Sequence, residues 1–377
     1  MNGSWWSALP TVLACAALLL GPGWLLARSW GLRGVTALGA APALLLAAVG
    51  PATVLAHVVG ERWDRSVLTT GPTAWCWAVL VLLGLALSRP WRSHDAEPAD
   101  GGPSSDADPG TPLELTPLSL RARHRLTGAV LLAGLLTAVP VVFGTGGPES
   151  PAQASDAVFH LSATAFVRAE GDASPLGGLA SLYDGHAVYY PTGWHALAAL
   201  LPGSVVAGAN VMVLVLASLV WPLGVAALLR EATARHLPDD DGAVLAVGTA
   251  LSGSVIGVLL LLTSTWPYAL SLAVLPGALA LVVRAVAPGR AGAAARTAAL
   301  GVGVLACLGV LVAHGAAVFN LLVLAGPVVA AAGAAPLRRA WSRGGAVRVS
   351  VIVAGGAAVL VLAAGAWAMR APLLSVL

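Results

Sequence analysis

The chain has no lysine: all 20 of its Lys+Arg positions are arginine, and charged residues fill only 10% of its 377 positions. Soluble globular domains run near one quarter charged, so this scarcity excludes an ordinary water-facing fold. The three cysteines, Cys15, Cys76 and Cys307, lie in separate apolar segments. That spacing excludes a disulfide framework and a CxxC centre, and leaves them as small apolar residues. No HExxH pattern occurs either, which removes the usual helical zinc-hydrolase signature. The formal charge is only +3 and the arginines stand at the ends of apolar runs, so no nucleic-acid partner is expected. No basic residue precedes the first apolar run, so it lacks the n-region of a cleaved signal peptide and is expected to remain as a span.

What the chain does have is length in its apolar runs. It is 58% hydrophobic, and run after run reaches the roughly 18 residues that mark a membrane helix. Reading these runs against their Gly, Pro and Arg breakers predicts an all-α integral membrane protein of about ten spans: 8–27, 34–59, 72–88, 126–143, 204–229, 243–262, 267–286, 297–313, 316–334 and 349–369. The turn between the eighth and ninth must be tight, at His314 and Gly315. Counting arginines in alternate loops gives 16 on one side and 4, Arg62, Arg65, Arg168 and Arg370, on the other. The positive-inside bias then places the first set in the cytoplasm and the N-terminus outside, in a bacterial cytoplasmic membrane.

Residues 89–125 are rich in Pro, Asp, Ser and Gly, too polar to bury a core, and are expected to form a disordered cytoplasmic linker. The linker divides the chain into a three-span unit, 1–88, and a seven-span unit, 126–377. Within the second unit, 144–203 is the one long outer loop, and loops of that length are usually functional.

The loop opens with "SDAVFHLSATAFVRAEGD", which gathers Asp156, His160, Arg168, Glu170 and Asp172 between uncharged segments. As a helix with Ser155 at its N-cap, it sets Asp156, His160 and Thr164 on one polar seam beside Phe159, Ala163 and Phe166. Arg168 falls roughly 18 Å beyond Asp156 on such a helix, away from the seam. The second part, "SLYDGHAVYYPTGWHALAALLP", turns at Asp184-Gly185 and re-enters helix at Pro191, with Trp194, Leu197 and Leu201 as an apolar stripe suited to the membrane surface. Two surface helices joined by a turn bearing Tyr183, His186, Tyr189 and Tyr190 are therefore expected.

A carboxylate near imidazoles and phenols suits a general base or a divalent metal, and Asp156, Glu170 and Asp172 are the acidic candidates for such an ion. Ion-coupled transport instead needs ionisable residues within the spans. There His57 and His314 stand near outer ends, and no buried carboxylate is expected in the last seven spans. A third class is glycosyl transfer, which at an outer face needs a membrane-borne donor. One carboxylate then takes the acceptor's proton while a cation steadies the phosphate that leaves.

The order of linker, span, large first outer loop with an early Asp, and six further spans resembles the seven-span core of C-type (GT-C) integral-membrane glycosyltransferases. "DAVFH" followed by "YYPTGWH" is similar to a family of actinobacterial multi-span proteins with that architecture. The resemblance implies transfer of a sugar from a polyprenyl-phosphate donor to an envelope glycan or lipid acceptor, with Asp156 as base or metal-positioning residue and Mg or Mn as the ion. His160 would orient Asp156, while Tyr183, Asp184, His186, Tyr189, Tyr190, His195, Arg168 and His314 would line the donor headgroup. Glu170 and Asp172 form a rival acidic site. The competing expectations are a lipid or polysaccharide transporter, with a polar cavity crossing the spans, and a non-catalytic subunit of an envelope-assembly complex, with its loop acids apart.

Overall fold

The computed structural model describes residues 3–68, 71–92, 118–233, 242–253, 264–287, 293–342 and 344–345. Among them every regular element is helical. In chain order these are α1 (Leu9–Ser29), α2 (Gly34–Val59), α3 (Gly71–Arg92), α4 (Leu120–Thr145), α5 (Ser155–Glu170), α6 (Gly193–Ala199), α7 (Val205–Thr233), α8 (Gly242–Leu251), α9 (Trp266–Val286), α10 (Ala293–Ala313) and α11 (Ala317–Ser342). Seven of them, α1, α2, α4, α7, α9, α10 and α11, contain stretches long and apolar enough to cross a membrane. The chain is thus a multi-pass membrane protein. α3 carries a shorter apolar stretch, Ala74–Ser88. The expected sixth span is described only through 253, and the expected tenth, 349–369, lies outside the described residues.

The expected linker is narrower at both ends, because α3 runs to Arg92 and α4 begins at Leu120, capped by Ser119 Oγ accepting from Ala122 N–H. Residues 93–117 lie outside the described part. By packing the chain divides after Leu321, so α1 to α3 belong to the same unit as α4 to α10. The reason is α2. Its Leu44, Leu45, Leu46 and Val49 are at most 1% exposed, and it touches α1, α3, α7, α9 and α10.

Small residues let the helices around it approach backbone to backbone. A Cβ on Gly277 would run into the carbonyl of Gly39, and one on Gly309 into that of Ala43. α7 is interrupted by a π turn at Leu216–Val220. There the hydroxyl of Thr137 on α4 donates to the carbonyl of Ala217 at 3.1 Å, meeting an acceptor that the widened turn turns outward.

From residue 322 onward the second unit is described only for the rest of α11 and residues 344–345, and much of that helix is exposed, as a lipid-facing apolar helix would be.

The segment between α4 and α7 folds down onto the bundle. The seven residues of α6 do not lie along the surface: Gly193 to Ala198 are all buried, and α6 packs against α2, α5, α7, α9 and α10. This corrects the expected pair of surface helices. A short apolar helix satisfies a bilayer surface and a protein core equally, and here Trp194 stacks on Trp266 of α9 at 5.4 Å instead of anchoring in lipid. The helix also starts later than expected, at Gly193, with Pro191 still outside it.

Candidate functional site

α5 sets Asp156 and His160 one turn apart on the same edge. The helix begins at Ser155 itself, with Ala154 at the cap position and no side-chain cap bond, so the expected cap is displaced by one residue. Asp156 stands in the first turn, where unpaired backbone N–H groups favour a carboxylate, and its side chain is exposed. Its charge acts on His160 and on Tyr190, but among the described residues no hydrogen bond joins it to either.

His160 is 4% exposed, and its Nδ1 lies 3.1 Å from Nε2 of the fully buried His195 on α6. One of these two nitrogens donates and the other accepts, so the tautomers of the two rings are coupled. Burial drives both rings to the neutral form. It pushes His160 down to about 4, against the upward pull of Asp156 and with a lesser downward push from His314. His195 is held well below the usual histidine range by burial and then by His160. The remaining ring nitrogen of His195, Nδ1, is buried with no hydrogen-bond partner among the described residues.

Aromatic rings enclose the pair. His160 lies 5.8 Å from Trp266, Phe159 lies 5.1 Å from Tyr190 and 6.4 Å from Tyr183, and Tyr190 lies 5.7 Å from His195. The phenol of Tyr190 is pushed up by burial, then by Tyr183 and Asp156. Burial likewise raises Tyr183 and Tyr189. His314, in the tight turn between α10 and α11, meets the ring of Tyr268 at 5.4 Å, and Tyr268 exchanges hydrogen bonds with Asn320. Phe159, His160, Tyr183, Tyr190 and His195 therefore form one ring cluster, on which Asp156 and His314 act through their charge.

Other expected site residues sit elsewhere. Tyr189 is 40% exposed and borders a cavity of about 230 Å³ with Pro191, Thr192 and Val312. Asp184 and Gly185 form the expected turn, with φ of 52° and 83°, and His186 follows it; all three are exposed. Arg168 is committed to the end of α6, donating to the carbonyls of Ala198, Ala199, Leu201 and Gly203 at 2.8–3.2 Å. Arg65 adds bonds to Leu200 and Leu201, so two guanidiniums meet the orphan carbonyls of this helix.

Glu170 and Asp172 lie at the opposite end of α5 from Asp156, roughly 21 Å away by ideal helix rise. Glu170 accepts from the Ser181 hydroxyl, and Asp172 from the Ser174 N–H while it meets His57 Nδ1 at 2.7 Å. Asp156 and the rival acids Glu170 and Asp172 thus stand at separate places. Among the described residues no three His, Cys, Asp or Glu side chains surround a point that an ion could fill. His57 is accordingly a tie between α2 and the segment that follows α5.

Sequence reasoning missed Trp266, Tyr268 and Asn320. A signal was available in "TSTWPYAL", where Pro267 opens α9 and sets two aromatic residues at the loop-bearing end of an apolar helix. It also missed Glu231 at the end of α7, 2% exposed, which receives Arg284 at 3.2 Å and the Thr36 hydroxyl at 2.8 Å. Glu231 lies two residues past the expected span 204–229, where α7 continues to Thr233, and it is already paired.

No curated protein and no solved structure matches the chain. A family model does match, over residues 16–376, and by that match the chain belongs to the Family of unknown function (DUF6541).

Proposed function

We propose that this chain is a membrane glycosyltransferase that takes a sugar from a polyprenyl-phosphate donor to an envelope glycan or lipid acceptor at the outer face of a bacterial cytoplasmic membrane. The reading includes the ten-span count and the N-terminus outside. The observation that carries it is the placement of an exposed carboxylate, Asp156, one helical turn from a buried neutral His160–His195 pair inside an aromatic wall. Aromatic faces suit a sugar ring, and the lipid-facing helices around them suit a polyprenyl tail.

In this reaction Asp156 takes the proton of the acceptor hydroxyl as its oxygen bonds to the anomeric carbon. The bond from that carbon to the phosphate oxygen breaks, and its electron pair leaves with the polyprenyl phosphate. His160, one turn from Asp156 and uncharged, offers the base no competing ion pair. The residues present do not build a three-ligand metal centre at Asp156, so no step is routed through an ion.

An apolar core of α2, α9 and α10 separates the two ends of the bundle, which counts against the transporter. A second reading, a non-catalytic assembly subunit, is favoured by the separation of Glu170 and Asp172 from Asp156 and by their engagement in local bonds. The deciding experiment reconstitutes the full chain in liposomes with a panel of radiolabelled polyprenyl-phosphate sugars and an envelope fraction. The transferase moves label out of the polyprenyl-phosphate pool; the assembly subunit leaves it there with every donor.

A further inference from the structure

Tyr268, Asn320 and His314 form a polar group that the chemistry at Asp156 leaves unused. Tyr268 stands at the start of α9, two residues after Trp266, whose ring lies 5.8 Å from His160. Asn320 is in the first turn of α11, and its side-chain N–H donates to the Tyr268 oxygen at 3.1 Å. His314, in the turn before α11, sets its ring edge to face with that of Tyr268 at 5.4 Å. A charge on His314 is felt at His160, so the three residues flank the histidine pair.

A backbone donor fixes the hydrogen-bond roles. Ala316 N–H donates to His314 Nδ1 at 3.2 Å, so that nitrogen carries no proton and the ring's hydrogen sits on Nε2. Burial favours the same neutral form. The Tyr268 oxygen accepts from Asn320, which leaves its own proton only a 3.4 Å contact to Asn320 Oδ1, beyond the usual range of an O–H···O bond. His314 Nε2–H, Tyr268 O–H and the second amide N–H of Asn320 are then donors without a strong partner among the described residues.

Three neutral donors beside one amide oxygen select a ligand rich in acceptors. Phosphate oxygens are of that kind, whereas sugar hydroxyls ask for acceptors as often as donors. The surroundings decide where the ligand comes from. Val318 and Phe319, next to Asn320 at the start of a spanning helix, are 38% and 68% exposed, so the group opens sideways to lipid. An anion that reaches it from that side is tied to a hydrocarbon chain.

We propose that Tyr268, His314 and Asn320 bind the phosphate of the polyprenyl-phosphate donor, with the polyprenyl chain passing Phe319 into the bilayer. The inference rests on the transferase reading for the identity of the lipid. As the bond from the anomeric carbon to the phosphate oxygen breaks, that oxygen keeps the electron pair, and hydrogen bonds from this group strengthen as its charge grows. No proton passes to the phosphate. Tyr268 and His314 serve the leaving group, while Asp156 serves the acceptor.

The test uses the full chain in neutral detergent, with bound lipid read by native mass spectrometry, and the same protein in liposomes for sugar transfer. The wild-type chain should retain polyprenyl phosphate over polyprenol and over phosphatidylglycerol, and an excess of inorganic phosphate should not displace it. Tyr268→Phe and His314→Phe, each checked for an unchanged Tm, should lower that retention about tenfold, since a hydrogen bond to a charged group is lost. The same variants should lower kcat for transfer about 10²-fold. His314→Gln, which keeps an N–H near the Nε2 position, should restore most of both. Equal retention of polyprenol or phosphatidylglycerol overturns the proposal, as do displacement by inorganic phosphate and unchanged retention in both Phe variants. Phosphate-dependent retention that these variants lose, in a chain that transfers no sugar, upholds this site and removes the transferase reading. Transfer by the wild-type chain with retention and kcat unchanged in the variants does the reverse.

Discussion

The two ends of this bundle bury polar side chains in opposite ways. At the loop-bearing end, His160 and His195 are stripped of charge by burial and share one hydrogen bond. At the arginine-bearing end, Glu231 and Arg284 are buried just as deeply and paired as ions. The histidines can lose their charge for about the free energy of a few pH units, whereas an arginine cannot be deprotonated in a protein and must keep a partner. One end is therefore adjustable by protonation, and the other is locked. Adjustable groups next to an exposed carboxylate suit chemistry; a locked pair suits structure.

Breaking the locked end should have the largest effect. Glu231→Ala leaves Arg284 buried without its carboxylate, and a cost of about 3–5 kcal/mol is expected. Thermal unfolding in detergent would show it as a fall in Tm, which the double variant Glu231→Leu/Arg284→Met should largely recover. Next in size is Arg168→Gln, which strips the end of α6 of a guanidinium bonded to four carbonyls. A loss of about 1–3 kcal/mol is expected by the same measurement.

A pH series sharpens the contrast. Unfolded imidazoles take up protons near 6.5, but folded His160 does so only near 4. Between those values the unfolded chain binds more protons, so stability falls as pH drops through the window. The fall should be weaker in His160→Phe/His195→Phe, while Glu231→Ala keeps it. The smallest effect belongs to Asp172→Asn, since the His57–Asp172 contact is 40% and 28% exposed on its two sides. Less than about 1 kcal/mol should be lost, and equilibrium unfolding would measure it.

The membrane class and the main helices were legible because an apolar run long enough to cross a bilayer has few other readings. The turn at Asp184-Gly185 was legible from residue type, since both adopt positive φ. The tight turn at His314 was legible from the shortness of the gap between two long apolar runs. By contrast, the burial of α6 was not, because its composition fits a bilayer surface as well as a core. Nor did spacing announce the His160–His195 contact across 35 positions or the Glu231–Arg284 pair across 53. Contacts between distant segments are set by how the helices pack around α2, and a single sequence carries no periodic trace of that.

The most direct measurement compares the wild-type chain with Asp156→Asn for transfer of sugar from a polyprenyl-phosphate donor, with Tm read on the same samples. Asp156 is exposed, so the variant should fold with Tm nearly unchanged. Loss of a general base predicts a rate about 10²–10⁴-fold lower. Transfer at the wild-type rate in the folded variant would contradict the assignment of the group around Asp156 as the seat of the chemistry.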